Sequence, residues 1–169
     1  SNEEYAEYEP DGLPKGSAAA LQAGKLAIIG GALPDRTMFS FGAEFVEVRI
    51  NARTREIRVP RCVGAFASGR IMNPRTARSQ LMGGMIWGIS SALHEGMEID
   101  VTTGKYVNDN LAEYLVPVNA DIGSVEVILV PEIDTKVNPL GIKGLGELGN
   151  VGTDAAVANA VFHATGKRI

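Results

Sequence analysis

Residues 73–94, NPRTARSQLMGGMIWGISSALH, form a long amphipathic segment that decides the fold class of the chain. Asn73 followed by Pro74 is typical of a helix start, because asparagine caps free amides and proline suits the first helical position, where its missing N–H is not needed. The large apolar residues then recur at the four-residue spacing of a buried helix face: Leu81, Met85, Ile89 and Leu93, with Ile86 beside them. The segment therefore predicts a helix that ends at about His94.

A second face of the predicted helix carries almost no side chains. It consists of Gln80, Gly84, Gly88 and Ser91, which fall in one row along the helix. Glycine inside a helix costs about 1 kcal/mol relative to alanine, so these glycines, together with Gly83, require a packing reason. Close contact with a sheet is one explanation, and the approach of a flat cofactor is the other. The residues alone leave both explanations open.

Strands are predicted on both sides of this helix. Residues 39–50 and 57–66 predict an antiparallel hairpin, and a change in the apolar phase after Phe45 favours a bulge there. Residues 99–108 predict a second hairpin, and residues 124–130 predict a buried strand.

A second long helix is predicted near the end of the chain. Thr153 or Asp154 can cap its start, and it should run through Ala164 with Gly166 as its terminator. Together the segments predict an α+β fold of two layers, in which two long helices pack on a mixed or antiparallel sheet.

The composition is that of a globular chain with one core. The chain has 169 residues, 45% apolar content and a formal net charge of -4. The acidic balance and the dispersed arginines argue against a nucleic-acid partner, and no apolar run approaches the 18 or so residues of a membrane span. Residues 1–36 are poor in large apolar groups and predict an extended, partly mobile segment. Residues 37–169 are assigned to the folded domain.

Metal ligands are scarce in the sequence. Cys62 is the single cysteine, so no intrachain disulfide and no cysteine metal site can form, and its apolar strand predicts that it is buried. His94 and His163 lie near predicted helix ends without a nearby set of ligands, so both are interpreted as structural residues or as charges at the C-terminal ends of helices. No residue is assigned as a metal ligand.

Residues 143–149, KGLGELG, place one carboxylate, Glu147, in a glycine-rich loop. Glycines let a backbone approach a ligand closely, so the loop predicts contact with a bulky bound group. Gly144, Gly146 and Gly149 also match the dinucleotide fingerprint. That fingerprint needs a βαβ unit of about 30 residues, and the residues after Gly149 contain no second strand pattern. The dinucleotide interpretation is therefore disfavoured.

Four ordered motifs are similar to those of the molybdenum-binding large subunits of the xanthine dehydrogenase and aldehyde oxidase family. They are SFGAEFVEV at 40–48, GRIMNP at 69–74, QLMGG at 80–84 and KGLGE at 143–147. The resemblance runs from about residue 39 to residue 168 and is greatest to bacterial aldehyde oxidoreductases. One departure is visible, because the family often has an aspartate before the second motif, where Ala67 and Ser68 stand. That departure puts one local polar contact in doubt.

The resemblance implies roles for five residues. Glu147 corresponds to the catalytic base of the family, which takes a proton from the hydroxide or water on molybdenum before a hydride passes to a sulfido ligand. Gln80 corresponds to the glutamine that binds the pterin, and it would supply the cofactor explanation for the bare helix face. Lys143, Gly144 and Gly146 would pass close to the cofactor.

The same resemblance implies cofactors and partners. The cofactor would be molybdopterin, with a cytosine dinucleotide as one of its forms, and iron–sulfur clusters and FAD would lie on partner subunits. The remainder of a large subunit would complete the site, and the substrates would be aldehydes or aromatic heterocycles hydroxylated with oxygen from water. The chain is then the C-terminal part of the molybdenum cofactor-binding domain, inactive alone, in the bacterial cytoplasm or periplasm. A non-catalytic assembly or interaction module that keeps the fold stays open as the alternative, and it predicts that Glu147 points to bulk solvent.

Overall fold

A computed structural model describes residues 38–138 and 140–169, and the segment predicted at residues 1–36 lies outside this range. Residues Ser40–Ile169 form one compact unit. Its elements, in chain order, are β1 (Phe41–Ile50), β2 (Ile57–Ala67), α1 (Pro74–Leu93), β3 (Ile99–Asp100), β4 (Lys105–Tyr106), a 3-10 helix (Asn119–Asp121), β5 (Ile122–Leu129) and α2 (Thr153–Thr165). The predicted helices and strands are therefore present, with ends shifted by a few residues. The predicted burial of residues 124–130 is wrong, because β5 is an edge strand in which only Val127 is buried.

The main sheet is mixed, with the strand order β1-β2-β5. β1 runs antiparallel to β2 as the predicted hairpin, whereas β5 runs parallel to β2. Parallel neighbours need a long crossover connection, and α1 lies within that crossover. β3 and β4 pair separately as the predicted second hairpin. The α+β fold class with a mixed sheet is thus confirmed.

The pairing of β1 with β2 is irregular at one place, but the extra residue there lies in β2 and not in β1. Phe45 pairs with Val63 and Val46 with Cys62 in regular register, and the register shifts only between Glu47 and Arg49. The change of apolar phase after Phe45 has a different cause, because the two alternating sets of apolar residues lie on opposite faces of one strand. The bulge predicted in β1 after Phe45 is therefore wrong, because the two residues that oppose one are Val59 and Pro60 of β2, opposite Val48.

Both long helices pack on the inner face of the sheet. The core lies between them and β2 and β5, and it consists of Val59, Cys62, Phe66, Leu81, Met85, Ile89, Val127, Val157 and Val161. The predicted apolar stripe of α1 supplies three of these residues, and the predicted burial of Cys62 is confirmed. Burial, with a further contribution from the negative charge of Glu44, raises the pKa of the Cys62 thiol to about 11. A thiol of this kind is inert at neutral pH.

The helix ends agree with the sequence at three of four places. The Asn73 side chain accepts hydrogen bonds from the backbone N–H groups of Arg75 and Thr76, as predicted for the start of α1. Gly166 ends α2 in the left-handed conformation with φ 71. The capping residue of α2 was predicted wrongly, because it is Gly152, which has no side chain. The Asp154 side chain nevertheless accepts a hydrogen bond from the Ala155 N–H at 2.7 Å.

Candidate functional site

The glycine-rich loop at residues 143–149 begins where the chain pairs with the end of β2. Gly69 and Ile142 form an antiparallel bridge, and the Arg70 N–H donates to the Gly141 carbonyl at 2.7 Å. Gly69 and Gly141 both have a positive φ, a conformation that favours glycine. The start of the second sequence motif is therefore bonded through its backbone to the two residues that precede the fourth motif.

Lys143 is held by two carboxylates. Its Nζ lies 2.6 Å from Glu132 Oε1 and 3.3 Å from Asp134 Oδ2, and only 8% of the Lys143 side chain is exposed. Glu132 Oε2 in turn accepts a hydrogen bond from the Gly69 N–H at 2.7 Å. The hydrogen bond to Glu132 raises the pKa of Lys143, and the same bond lowers the pKa of Glu132. Lys143 thus links the loop to the end of β2 as a charged, paired group, while its cofactor contact stays a prediction.

Polar side chains fix the backbone on either side of Lys143. The Asn138 side chain donates to the Ile142 carbonyl at 2.7 Å and accepts from the Ile142 N–H at 3.2 Å. The Ser40 hydroxyl donates to the Gly144 carbonyl at 2.5 Å. Because Ser40 opens the first sequence motif, that motif also contacts the loop.

In the middle of the loop, the two leucines face the core, whereas the two glycines and Glu147 face outward. Leu145 and Leu148 are partly buried against the core, and the Leu148 N–H donates to the Leu145 carbonyl at 3.1 Å. Gly144, Gly146 and Glu147 are exposed. A Cβ atom added at either glycine would meet no other atom within 4 Å. The loop therefore presents Glu147 beside open space.

The glycine strip of α1 packs against this loop and the start of α2. A Cβ on Gly84 would lie 2.9 Å from Asn150 N, and a Cβ on Gly88 would lie 2.6 Å from Thr153 Cβ. Close packing is therefore the correct explanation, although the neighbour is a loop and a helix rather than the predicted sheet. The cofactor explanation is wrong for these two glycines. Gly83 differs, because it is exposed and a Cβ there would meet nothing within 4 Å.

Gln80 and Lys143 line one cleft of about 310 Å³ between the end of β2, the start of α1 and the loop. Its remaining polar lining comes from Ser68, Arg70, Asn73 and Thr76. Gly144, Gly146 and Glu147 are not among the lining residues. The structure thus brings two of the five predicted site residues together in the cleft and leaves the other three on the adjoining exposed turn.

Residues 25–123 match the family model of the molybdopterin cofactor-binding domain. The chain belongs to this family. The aldehyde oxidoreductase molybdenum-binding subunit PaoC of Escherichia coli is 47% identical over 130 residues, which cover 77% of this chain and 18% of that protein. The xanthine dehydrogenase molybdenum-binding subunit of Escherichia coli is 37% identical over 130 residues, covering 77% of this chain and 17% of that protein.

A solved structure of an aldehyde oxidoreductase has a similar fold over most of this chain. The aldehyde oxidoreductase from Desulfovibrio desulfuricans superposes with a TM-score of 0.68 at 27% identity, over 77% of this chain and 14% of that chain. This chain therefore spans less than a fifth of the length of these relatives.

Two acidic residues of this molybdopterin cofactor-binding domain were missed by sequence reasoning. Glu132 gave no local signal, because its partners Gly69 and Lys143 lie 63 and 11 residues away. Glu44 did give one, since an acidic residue in the inward phase of a strand is unusual. Burial raises the pKa of Glu44, contacts with the Thr153 hydroxyl and the Gly152 N–H partly offset that rise, and the nearby charge of Asp154 adds to it.

The position of Glu44 explains the missing side-chain cap of α2. Its Oε2 lies against Gly152, so a carboxylate from β1 occupies the amino end of that helix. The helix end favours a negative charge there, but burial outweighs this effect, because the pKa of Glu44 is raised overall. Its other oxygen, Oε1, is buried and has no hydrogen-bond partner.

The described part of this molybdopterin cofactor-binding domain offers few other groups for a ligand. Ser68 stands where the resemblance expects an aspartate, and its buried Oγ has no hydrogen-bond partner. Within residues 38–138 and 140–169, no group of three or more His, Cys, Asp or Glu side chains is placed to hold a metal ion. Nor does any helix in these ranges combine the length and apolar character needed to cross a membrane.

Proposed function

We propose that this chain is the C-terminal molybdopterin-binding part of a molybdenum-dependent hydroxylase, with Glu147 as the catalytic base. The proposed enzyme oxidises aldehydes or aromatic heterocycles and takes its oxygen from water. One observation carries the proposal: an exposed glutamate directly follows two open glycine positions on a turn that is tightly held at both ends. The similarity to aldehyde oxidoreductase and xanthine dehydrogenase subunits supports the reaction class.

The residues of the loop fit a bulky cofactor. Gly144 and Gly146 are not among the residues with positive φ, and no neighbouring atom excludes a side chain from either position. The backbone conformation and packing of this chain therefore do not require glycine there. A large group that approaches the loop from outside does require it, because a Cβ would occupy the space that the group needs.

Other residues of this chain would orient the cofactor. The exposed Gln80 amide has both donors and an acceptor, which suits the polar edge of a pterin. Lys143, paired with Glu132 and Asp134, would fix the loop so that the N–H groups of Gly144 and Gly146 face the cofactor. When bound, the molybdenum cofactor supplies the redox chemistry, and the protein supplies binding, orientation and proton transfer.

Glu147 would act by accepting the proton of the attacking oxygen. A general base must lie within hydrogen-bonding reach of that proton, about 2.6–3.2 Å between heavy atoms, and typically contributes a factor of about 10²–10⁴ to the rate. The inward anchors Leu145 and Leu148 on either side of Glu147 hold its backbone. Only the side-chain torsions of Glu147 then remain to be fixed by the bound cofactor and substrate.

The test is Glu147→Gln in the complete molybdenum-binding subunit, co-expressed with iron–sulfur and flavin subunits as proposed electron acceptors. We expect full molybdenum content and turnover of an aldehyde panel reduced by about 10²-fold or more. Glu98→Gln, at an exposed carboxylate outside the loop, is the matched control and should leave turnover unchanged. Near-normal turnover of the Glu147→Gln variant, with its metal retained, would remove Glu147 from the role of base.

A non-catalytic interaction module is the second candidate, because the exposure of Glu147 in this chain is also what that class predicts. The two candidates differ in the response to Glu147→Gln. An interaction module tolerates the loss of the charge, whereas a base does not tolerate it.

The proposal includes the inactivity of the 169-residue chain by itself. Most of each relative lies outside the matched part, so the other cofactor contacts would come from elsewhere in a complete subunit. We expect the purified chain to contain far less than one molybdenum per molecule by elemental analysis. A stoichiometric content would contradict this part of the proposal. Nucleotide analysis of the complete enzyme would test the cytosine dinucleotide form of the cofactor.

A further inference from the structure

The main sheet carries apolar side chains on the face that points away from both helices. Phe41 is 61% exposed, Phe45 is 67% exposed and Ile128 is 45% exposed. A sheet that faces water on one side normally alternates between apolar residues on the covered face and polar residues on the open face. At this end of the sheet, both faces are apolar.

These exposed side chains are contiguous because of the strand register. Phe45 pairs with Val63, and Ala43 pairs with Ala65. Ala65 pairs in turn with Ile128 on the other side of β2. Directly paired residues have Cβ atoms about 5 Å apart. We call this surface the outer apolar patch, defined by Phe41, Ala43, Phe45, Val63, Ala65 and Ile128.

The outer apolar patch ends at a charged border on the same face. Beyond Phe45, β1 continues with Glu47 and Arg49, whose side chains form an ion pair at 3.0 Å. Arg61 of β2 and Glu126 of β5 form another at 3.6 Å. All four side chains are largely exposed, between 48% and 75%. The face therefore changes from an apolar half to a solvated half, which is the pattern of a binding surface with a polar rim.

The size of the outer apolar patch narrows the choice of partner. At about 200 Å² per aromatic side chain, the exposed fractions of Phe41 and Phe45 leave about 250 Å². The smaller residues bring the total to the order of 400 Å², within the range of roughly 300–600 Å² for the largest patch on a monomer, which is often functional. A stable complex of separate molecules buries about 800 Å² on each partner. A second copy bound here alone would therefore be held weakly.

A segment of the same polypeptide meets no such requirement, because it loses little translational and rotational freedom on docking. The relatives supply such segments, since the matched part covers only 18% of PaoC. We propose that a further layer of the same polypeptide covers the outer apolar patch in a complete molybdenum-binding subunit. This inference rests on the proposed function only in taking the chain to be part of a longer subunit.

The test is hydroxyl-radical footprinting, read by mass spectrometry at single residues. Phe41 and Phe45 should be modified readily in the 169-residue chain and several-fold more slowly in the complete subunit. Phe66, which is 1% exposed, should be unreactive in both and serves as the buried reference. Reactivity of Phe41 and Phe45 that does not change in a complete subunit holding molybdenum would overturn the inference.

A pair of variants tests the same inference by stability. Phe45→Ser should leave the melting temperature of the 169-residue chain unchanged, because the side chain is exposed there, and should lower that of the complete subunit. Arg49→Ser, on the same strand beyond the patch, should lower neither. Equal effects of Phe45→Ser in the two proteins would contradict the proposed layer.

The outcomes separate this inference from the proposed function. Protection of Phe41 and Phe45 together with normal turnover of Glu147→Gln would support the covering layer and remove the catalytic role. Exposed phenylalanines in a complete subunit whose Glu147→Gln variant has lost turnover would overturn the covering layer and support the catalytic role. If the 169-residue chain forms dimers that Phe45→Ser abolishes, and the complete subunit shows no protection, the patch binds a second copy and the inference is wrong.

Discussion

Two neighbouring glycines of α1 give a sharp test of how the loop is held. Gly84 is buried against the loop, and a Cβ atom there would lie 2.9 Å from Asn150 N and 3.0 Å from Gly149 C. Gly83 is exposed, and a Cβ atom there would meet nothing within 4 Å. Replacing each by alanine in separate variants therefore adds the same methyl group to the same helix in opposite surroundings.

The magnitude follows from two opposing effects. Alanine is favoured over glycine inside a helix by about 1 kcal/mol, so Gly83→Ala should raise the free energy of unfolding by up to that amount. Gly84→Ala has the same gain, but its methyl group must displace backbone atoms, and overpacking of this kind costs about 1–3 kcal/mol. Both variants have the same gain in helix propensity, so only the overpacking cost separates them. The free energy of unfolding of Gly84→Ala should therefore be lower than that of Gly83→Ala by about 1–3 kcal/mol.

Urea unfolding of the 169-residue chain, followed by circular dichroism, measures this difference directly. The slope of the free energy against urea should be alike in the two variants, since neither changes the surface exposed on unfolding. A difference of 1 kcal/mol corresponds to about 2–4 °C in the melting temperature of a chain of this size. Equal stabilities, or a more stable Gly84→Ala variant, would show that α1 does not pack closely on the loop.

Three further changes test other contacts. Lys143→Met should lower the free energy of unfolding by about 1–3 kcal/mol in urea, because it leaves the Glu132 carboxylate without its charged partner. The raised pKa of Glu44 means that the folded chain binds the proton more tightly than the unfolded chain, so stability from this group is present at low pH and is lost as pH rises through the folded value. Glu44→Gln should therefore flatten the decline of melting temperature as the pH rises above the usual titration range of glutamate, and an unchanged profile would contradict the burial of the carboxylate. Gly166→Ala should cost about 1 kcal/mol in thermal unfolding, because φ is 71 at this position, and no loss would argue against the left-handed terminator.

Features set by a few adjacent residues were predicted well from the sequence. The start of α1 depends on Asn73 and on the proline that follows it, and the end of α2 depends on Gly166. Both signals act through backbone groups within one helical turn. The start of α2 has no such local cause, because Glu44 reaches it from a distant strand, and its cap was predicted wrongly for that reason.

The glycine strip shows why a correct pattern can have more than one cause. The spacing of Gly84 and Gly88 correctly indicated a face on which side chains cannot be tolerated. A helix pattern does not say what approaches that face, and only the fold identifies the neighbour as Asn150 for one glycine and Thr153 for the other. The family resemblance suggested a cofactor, but that explanation suits only positions with open space, such as Gly144 and Gly146.

The contacts around the loop indicate that, in the proposed enzyme, this domain fixes the position of Glu147 and other parts select the substrate. Lys143 is held by Glu132 from the segment after β5, and Gly144 by the residue before β1. Asn150 lies against α1, and Gly152 lies against Glu44 of β1. A shift of Glu147 by a full ångström would have to break contacts on one side of the turn or the other. A small misplacement of a catalytic group can cost about 10²-fold in rate, so a base held by three separate elements keeps its position whichever substrate is bound. In the proposed enzyme, the part that selects the substrate could then vary elsewhere, while this domain would hold Glu147 in the same place.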